Sequence, residues 1–178
     1  VVGRNGSGKS TILNAVMGIT WGLASALTLD GCTLERLAIW QRWAVGLSMA
    51  LQHGGVFSDL SVAENLRLAG MTTAGLENTF QTEALQPLAH RICRSRRQPA
   101  GTLSGGEQRL LSLAMVLARE PRVLLADEPS LGLAPEAAQD MLEHIARLAR
   151  TAPETGVLVV SHDYRALARL CDRLHVLE

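Results

Sequence analysis

The feature that most restricts the fold of this chain is a glycine-rich octapeptide near its start, Gly3-Arg4-Asn5-Gly6-Ser7-Gly8-Lys9-Ser10. It matches the pattern G-x-x-x-x-G-K-[ST] in full, a loop that joins a buried strand to the start of a helix. Its glycines let backbone N–H groups turn toward phosphate oxygens, Lys9 adds a full positive charge, and Ser10 offers a hydroxyl to Mg²⁺. The octapeptide therefore predicts a site for a nucleotide phosphate at the edge of an α/β sheet.

The segments after this loop alternate between helix and strand patterns. Residues Ser10–Met17 predict a helix that ends at Gly18, and its apolar face carries Ile12, Leu13, Val16 and Met17. Three later runs are apolar throughout and predict buried strands: Leu47–Leu51, Val123–Ala126 and Val157–Val160. A further apolar stripe predicts a helix: Ala138, Met141, Leu142, Ile145 and Leu148. This alternation is typical of a parallel sheet covered by helices on both faces.

The stretch between Gln52 and Ser104 has a different character. It is polar, leans toward helix and contains no convincing strand. We interpret it as a mainly helical insertion.

The composition limits the class of protein. With 178 residues, 47% of them hydrophobic and 19% charged, the chain is long enough for one globular domain with a sizeable core. Its 17 basic and 17 acidic side chains cancel, which gives no long-range attraction to nucleic acid or anionic lipid. No apolar run approaches the roughly 18 residues of a spanning helix, so we expect membrane attachment through a partner. Three widely spaced cysteines favour reduced thiols over a disulfide framework or a zinc site.

Polar side chains follow several of the predicted strands. Asp127 and Glu128 come directly after Val123–Ala126, where a parallel sheet opens its ligand crevice. Because alternate strand residues point to opposite sides, we expect Asp127 to bind in the Mg²⁺ shell and Glu128 to face an attacking water as a general base. His162 and Gln52 end two other strands, and the sequence places both at the same crevice as candidate contacts to the terminal phosphate, the water or the metal.

A second glycine-rich turn stands at Leu103-Ser104-Gly105-Gly106-Glu107-Gln108. It feeds a helix with apolar residues at Leu110, Leu113, Ala114 and Leu117. Ser104 near the helix start fits an ordinary N-cap, but paired glycines cost stability unless the backbone must approach something closely. A second anion site in a chain that already has one phosphate loop indicates either a second ligand or a nucleotide shared with another copy.

Taken together, these residues resemble the nucleotide-binding domain of the ABC ATPase family, whose five motifs occur here in the family's order. The resemblance covers essentially the whole chain and implies a single domain, residues 1–178, with the α/β P-loop NTPase fold: a mainly parallel sheet flanked by helices. It further implies an α/β core at residues 1–52 and 120–178 and a helical subdomain at 53–119, inserted before the signature motif. Because the chain begins at Val1 and enters the loop at once, we expect it to be a fragment whose upstream strands and adenine-stacking aromatic residue lie before Val1.

The resemblance also assigns roles to residues. It implies ATP and Mg²⁺ as ligands and Glu128, His162 and Gln52 as catalytic residues. The implied nucleotide contacts of the phosphate loop are Gly3, Asn5, Gly6, Ser7, Gly8, Lys9, Ser10 and Thr11. The residues implied to contact the nucleotide bound by a second copy are Ser104, Gly105, Gly106 and Gln108. The implied metal contacts are Ser10, Gln52 and Asp127.

The same resemblance implies ATP hydrolysis that powers solute transport. The phrases Val56–Leu66 and Asp127–Pro135 are most similar to ATPases of branched-chain amino acid uptake, and related importers of other polar solutes share them. The implied partners are a second ABC ATPase subunit, identical or different, an integral membrane permease, and a periplasmic or extracellular solute-binding protein. The implied location is peripheral, at the cytoplasmic face of the cell membrane.

Two other functions compete with transport. A soluble ABC ATPase that acts on nucleic acid or ribosomes would use the basic residues from Arg91 to Arg97 as its contact, but the neutral net charge and the short insertion argue against this function. A domain that only binds ATP as a structural clamp would not need Glu128 and His162.

Overall fold

The computed structural model describes residues 1–4, 6–20, 26–52, 54–83, 85–151 and 154–177. In chain order, the elements up to the middle of the chain are β1 (Val2–Gly3), α1 (Lys9–Met17), β2 (Thr28–Leu29), β3 (Cys32–Thr33), α2 (Ile39–Ala44), β4 (Leu47–Ala50), α3 (Val62–Leu68), α4 (Thr73–Thr79) and α5 (Gln86–Arg94). After a 3-10 turn at Ala100–Thr102 come α6 (Gly105–Leu117), β5 (Val123–Asp127), α7 (Pro135–Thr151), β6 (Gly156–Val160), α8 (Tyr164–Leu170) and β7 (Val176–Leu177).

The sheet that carries the predicted site is parallel. Three strands lie in the order β4-β5-β6, with Ala50 beside Ala126 and Asp127 beside Val160. β1 pairs in parallel with β7, and an isolated parallel bridge from Val2 to Ser161 connects this pair to the end of β6. The carboxyl ends of β1, β5 and β6 therefore meet at one edge, which brings together chain segments that are far apart in sequence.

Helices cover both faces of this sheet. Successive residues of β5 point to opposite sides: Leu124 and Ala126 pack with α6 and α7, whereas Leu125 packs with Leu13 and Met17 of α1. The uninterrupted apolar pattern of β5 arises because both of its faces are buried, as the sequence predicted for a parallel sheet.

The residues between β4 and α6 form a helical layer. Of the described residues 54–83 and 85–104, those in regular structure lie in α3, α4, α5 and the 3-10 turn, apart from a single bridge between Ser61 and Pro99. The largest fully buried side chains of this layer include Leu76, Phe80 and Ile92. They belong to the same apolar cluster as Leu110 and Leu111 of α6 and Leu124 of the sheet, so α6 joins the layer to the sheet through one continuous core.

Several boundaries and faces differ from the sequence prediction. Leu51 was expected at the end of a buried strand, but β4 ends at Ala50 and Leu51 is exposed. Ile12 was expected on the buried face of α1 and is exposed instead, and on α7 it is Ala137, not Ala138, that is buried. In each case the apolar pattern fits the helix or strand that is observed. Which of its side chains are buried depends on the exact position of the neighbouring element that packs over it, and periodicity does not give that position.

The sequence did not predict the hairpin of β2 and β3 or helix α2. Each strand of the hairpin has two residues, and Asp30 and Gly31 turn between them with φ of +47° and +79°. Two consecutive left-handed residues are the geometry of a tight two-residue hairpin. Strands this short leave no alternation for a pattern to detect.

Candidate active site

Two residues of the glycine-rich octapeptide, which begins within β1, have a backbone conformation that only glycine adopts readily. Gly6 and Gly8 have φ of +84° and +90°, and Gly8 caps the start of α1. Gly3 is needed for a different reason, because a Cβ there would lie 2.5 Å from the carbonyl oxygen of Leu177 and 2.6 Å from Oγ of Ser7. Asn5, a predicted nucleotide contact, lies outside the described residues.

Lys9 holds its charge inside this loop. The side chain is 7% exposed, and Nζ donates to the carbonyl oxygens of Gly3 and Arg4, at 2.9 Å each. Oγ of Ser7 is buried and has no hydrogen-bond partner among the described residues. A buried ammonium and an unsatisfied hydroxyl in the same loop favour a polar, anionic ligand such as phosphate. Thr11 lies exposed on the first turn of the helix.

Ser10 and Asp127 form the candidate metal site. Oγ of Ser10 donates to Oδ1 of Asp127 at 3.0 Å, across 117 positions of sequence. Burial raises the pKa of Asp127 above its ordinary value, and nearby Glu128 raises it further, while the hydrogen bond from Ser10 and the charges of Lys9 and Arg109 lower it. A hydroxyl and a buried carboxylate supply the oxygen ligands that Mg²⁺ prefers, and a cation would offset the cost of the buried charge.

Glu128 stands directly after β5 in a left-handed conformation, with φ of +47°. Its backbone N–H donates to the carbonyl of Val160 at 2.9 Å. Its carboxylate accepts from Oγ of Ser161 at 3.2 Å and lies 2.9 Å from Nδ1 of His162. Strand alternation was expected to point Asp127 and Glu128 to opposite sides, and that reason is wrong. Glu128 lies outside the strand, and a backbone turn directs its side chain toward the end of β6.

His162 and Gln52 take different places at this edge. The imidazole of His162 is 55% exposed, whereas the Glu128 carboxylate that it contacts is buried. The ring therefore lies on the solvent side of this carboxylate. Gln52 is half-buried, two residues beyond β4, and none of the described hydrogen bonds involves its side-chain amide. Its backbone carbonyl accepts instead from Arg109 at 2.7 Å.

Arg109 is a residue of this site that sequence reasoning did not identify. Its guanidinium also donates to the carbonyl of Glu128 at 2.5 Å, so it links the segments after β4 and β5. Burial lowers the pKa of Arg109, and the charges of Glu128 and Asp127 raise it. A usable signal was present, because Arg109 lies three residues after Gly106 and four before Leu113, on a helix face that should be buried.

The second glycine-rich turn begins α6. Ser104 is the N-cap: its Oγ accepts from the N–H of Glu107 at 3.4 Å, and the Glu107 carboxylate accepts from the N–H and Oγ of Ser104, at 3.0 and 2.7 Å. Gln108 donates to the carbonyls of Leu103 and Gly101. These contacts are those of an ordinary capped helix.

The two glycines of this turn have different surroundings. A Cβ on Gly106 would lie 2.9 Å from a methyl group of Leu133, so packing within the chain already requires glycine there. A Cβ on Gly105 would meet nothing within 4 Å. No hydrogen bond in the described part of the chain joins Ser104–Gln108 to the phosphate loop.

The model of the ABC transporter family matches residues 1–131. The chain belongs to this family. Its relatives include the high-affinity branched-chain amino acid transport ATP-binding protein BraG of Pseudomonas aeruginosa, 34% identical over 178 residues, which covers all of this chain and 76% of BraG. Another is the probable branched-chain amino acid transport ATP-binding protein LivF of Archaeoglobus fulgidus, 34% identical over 167 residues, covering 94% of this chain and 71% of LivF.

The fold agrees with this ABC assignment. The dimeric bacterial ABC transporter cassette MJ0796 superposes with a TM-score of 0.80 at 23% identity, covering 99% of this chain and 78% of that one. The predictions of an ABC family member, of the α/β P-loop fold and of an ATPase are confirmed. In the described part of this ABC ATPase, no helix is both long and apolar enough to cross a membrane.

Proposed function

We propose that this ATPase powers the uptake of a solute as the ATP-binding subunit of an ABC importer. The observation that carries the proposal is the meeting of two side-chain groups at one sheet edge: Ser10 with Asp127, and Glu128 with Ser161 and His162. The first group suits a metal-bound phosphate and the second suits the activation of water. Together they supply what phosphoryl transfer to water requires.

The phosphate loop would bind the nucleotide. The N–H groups of Gly6–Ser10 at the start of α1 provide donors and the positive end of the helix, and Lys9 would exchange its two carbonyl partners for phosphate oxygens. Oγ of Ser7, which has no partner among the described residues, would gain one, and Gly3, Asn5 and Thr11 would complete the contacts. Ser10, Asp127 and the amide oxygen of Gln52 would hold Mg²⁺, which neutralises charge on the phosphates.

Glu128 would act as the general base. Its carboxylate would take a proton from the water as the water oxygen attacks the terminal phosphorus and the bond to the bridging oxygen breaks, with the electron pair passing to ADP. Ser161 donates to one carboxylate oxygen and so orients the acid. His162 contacts the same oxygen through Nδ1, which leaves Nε2 as the ring nitrogen for the terminal phosphate.

A second copy, or a related ATPase subunit, would complete the site. Among the described residues, no hydrogen bond joins the turn at Ser104–Gly106 to the phosphate loop, and a Cβ on Gly105 would meet nothing within 4 Å. The close approach of a phosphate of the nucleotide bound to another subunit would account for a glycine at this position. Gln108 would lie at the edge of this contact. The dimeric form of the related cassette MJ0796 supports this arrangement.

The names of BraG and LivF support branched-chain amino acids as the cargo. The further partners would then be a membrane permease and an extracytoplasmic solute-binding protein, with the ATPase bound peripherally at the cytoplasmic face. A nucleic-acid partner has less support: the net charge is zero, and Arg91 of the basic run is paired with Glu107 at 3.1 Å.

The Glu128→Gln variant of the full-length protein, assembled with its permease, tests the proposal. We expect ATP binding to be retained and hydrolysis to fall by about 10²- to 10⁴-fold, the contribution of a positioned general base. Glu154→Gln, an exposed substitution before β6, is the control and should hydrolyse ATP normally. Wild-type hydrolysis by Glu128→Gln would overturn the assignment, and ATP-driven uptake of leucine, isoleucine or valine into proteoliposomes would test the cargo.

A further inference from the structure

A single side chain joins the two strand ends that carry the proposed base and the proposed water or metal ligand. The guanidinium of Arg109, on α6, donates through one amino group to the carbonyl of Glu128 at 2.5 Å and through the other to the carbonyl of Gln52 at 2.7 Å. These partners are 19 and 57 positions away in sequence. A planar guanidinium fixes the directions of both bonds, so it sets the spacing of the two segments.

The bond to Glu128 falls where the backbone needs support. A non-glycine residue in the left-handed region costs on the order of 1–3 kcal/mol and persists only when its surroundings hold it there. At Glu128 the N–H donates to Val160, and the carbonyl accepts from both Arg109 and the N–H of Leu131, at 3.1 Å. Of these three partners, Val160 and Leu131 bond through their backbone and Arg109 through its side chain. A substitution of Arg109 can therefore remove its bond while leaving the other two in place.

We propose that Arg109 is a positioning residue for ATP hydrolysis, which holds Glu128 and Gln52 in register by donating to both of their carbonyls. The inference rests on the proposed role of Glu128 as the base. It also connects the site to α6, because Arg109 lies one and a half turns from Ser104 on the same helix. A shift of α6 on contact with a second subunit would then move both strand ends together.

The chain contains a matched arginine remote from this edge. Arg42 is 6% exposed and donates to three backbone carbonyls: Nε to Leu37 at 3.0 Å, and Nη1 to Ala15 and Val16 at 2.8 Å each. It secures the C-terminal end of α1 to α2. Removal of Arg42 therefore breaks the same kind of bonds as removal of Arg109 but leaves Glu128 and Gln52 alone.

The test compares Arg109→Met, Arg109→Lys and Arg42→Met in the full-length protein assembled with its permease, at a temperature where all are folded by circular dichroism. We expect Arg109→Met to lower kcat by about 10- to 100-fold, the cost of a small misplacement of catalytic groups, with the KM for ATP changed by less than about threefold. Arg109→Lys should recover part of the loss, because an ammonium still donates to carbonyls. Arg42→Met should lose thermal stability but keep kcat.

Measuring the effect of Arg109→Met in the Glu128→Gln variant distinguishes a positioning role from a general loss of structure. Because Arg109 is proposed to act through Glu128 as well as Gln52, Arg109→Met should slow Glu128→Gln by a smaller factor than it slows the wild type, whereas independent effects would multiply. An unchanged kcat in Arg109→Met, an equal fall in Arg42→Met, or a multiplicative loss in the double variant would each overturn the inference; Arg109→Lys serves alone if Arg109→Met does not fold. Wild-type hydrolysis by Glu128→Gln would instead overturn the proposed function, and this inference with it.

Discussion

At the scale of the residue, Asp127 lies in a buried position where ionisation of its carboxyl group is unfavourable. Burial raises its pKa, and the neighbouring Glu128 adds to the effect. Since the folded-state pKa lies above the unfolded value of about 4, the folded protein binds the proton more tightly, and it loses stability as pH rises through the interval between the two values. The nucleotide-free protein therefore carries a cost at neutral pH that a bound cation would offset.

Replacing Asp127 with Asn should remove this cost. We expect the nucleotide-free Asp127→Asn variant to melt at a higher temperature than the wild type at pH 7, with the difference shrinking as pH falls toward 4. Circular dichroism melting curves across this range would measure it, with Asp59→Asn as the exposed control. A midpoint at or below that of the wild type at every pH would contradict the argument.

Residues of the site differ in how far the sequence could reveal them. Ser10, Asp127, Glu128 and His162 follow recognisable strands or lie in the phosphate-loop motif, and parallel strands must bring their carboxyl ends to one edge, so the grouping was predictable. The left-handed turn at Glu128 was not, because a glutamate has no propensity for it and tertiary contacts impose it. The position of Arg109 on a helix face that should be buried was a signal for it, but its partners are backbone carbonyls, which carry no side-chain signature in the sequence.

At the scale of the element, two helices begin in nearly the same way. In α3, Ser61 and Glu64 form a capping box like that of Ser104 and Glu107 in α6, with the serine N–H to carboxylate distances at 2.8 and 3.0 Å. The local chemistry is shared, so it cannot by itself indicate ligand binding. What differs is the pair of glycines after Ser104, where Ser61 is followed by Val62 and Ala63.

This similarity provides a controlled experiment. Ser61→Ala and Ser104→Ala should each lower the free energy of unfolding by about 1 kcal/mol, the usual value of an N-cap. We expect only Ser104→Ala to weaken ATP-dependent dimerisation, measured by size-exclusion chromatography or light scattering in a Glu128→Gln background that preserves ATP. Equal weakening by both would show that Ser104 acts only as a cap.

Elements were predictable in proportion to their length and burial. β5 and α6 have runs of apolar residues that only buried elements carry; β5 was located within one residue, and α6 contains the four apolar positions predicted for a helix after the second glycine-rich turn. The hairpin of β2 and β3 and the helix α2 are short and mostly exposed, so turn geometry and contacts with β4 decide them rather than a repeating pattern.

At the scale of the whole molecule, the helical layer and the sheet share one apolar core. Cys93 of α5 lies in that core, is buried, and donates its S–H to the carbonyl of Thr73 at 3.2 Å. Burial, with the nearby charge of Glu77, raises the pKa of Cys93 to about 12, so almost none of its thiol is ionised at neutral pH. Cys32, by contrast, is exposed.

Thiol labelling should therefore report on cooperativity. In single-cysteine variants at pH 8, a reagent such as iodoacetamide should modify Cys32 quickly and Cys93 only through unfolding. In a urea series we expect Cys93 labelling to follow the loss of the sheet signal in circular dichroism, because α6 ties the layer to the sheet. Labelling of Cys93 at clearly lower urea would show that the layer opens as an independent unit.

The pairing of β1 with β7 has a consequence for biosynthesis. Val2 and Gly3, which lead directly into the phosphate loop, pair with Val176 and Leu177 across nearly the whole described chain. Contacts this distant form late, because the intervening chain must be ordered first. During translation this pairing cannot form until β7 has left the ribosome, so a shorter nascent chain lacks the support that β7 gives to the strand before the phosphate loop.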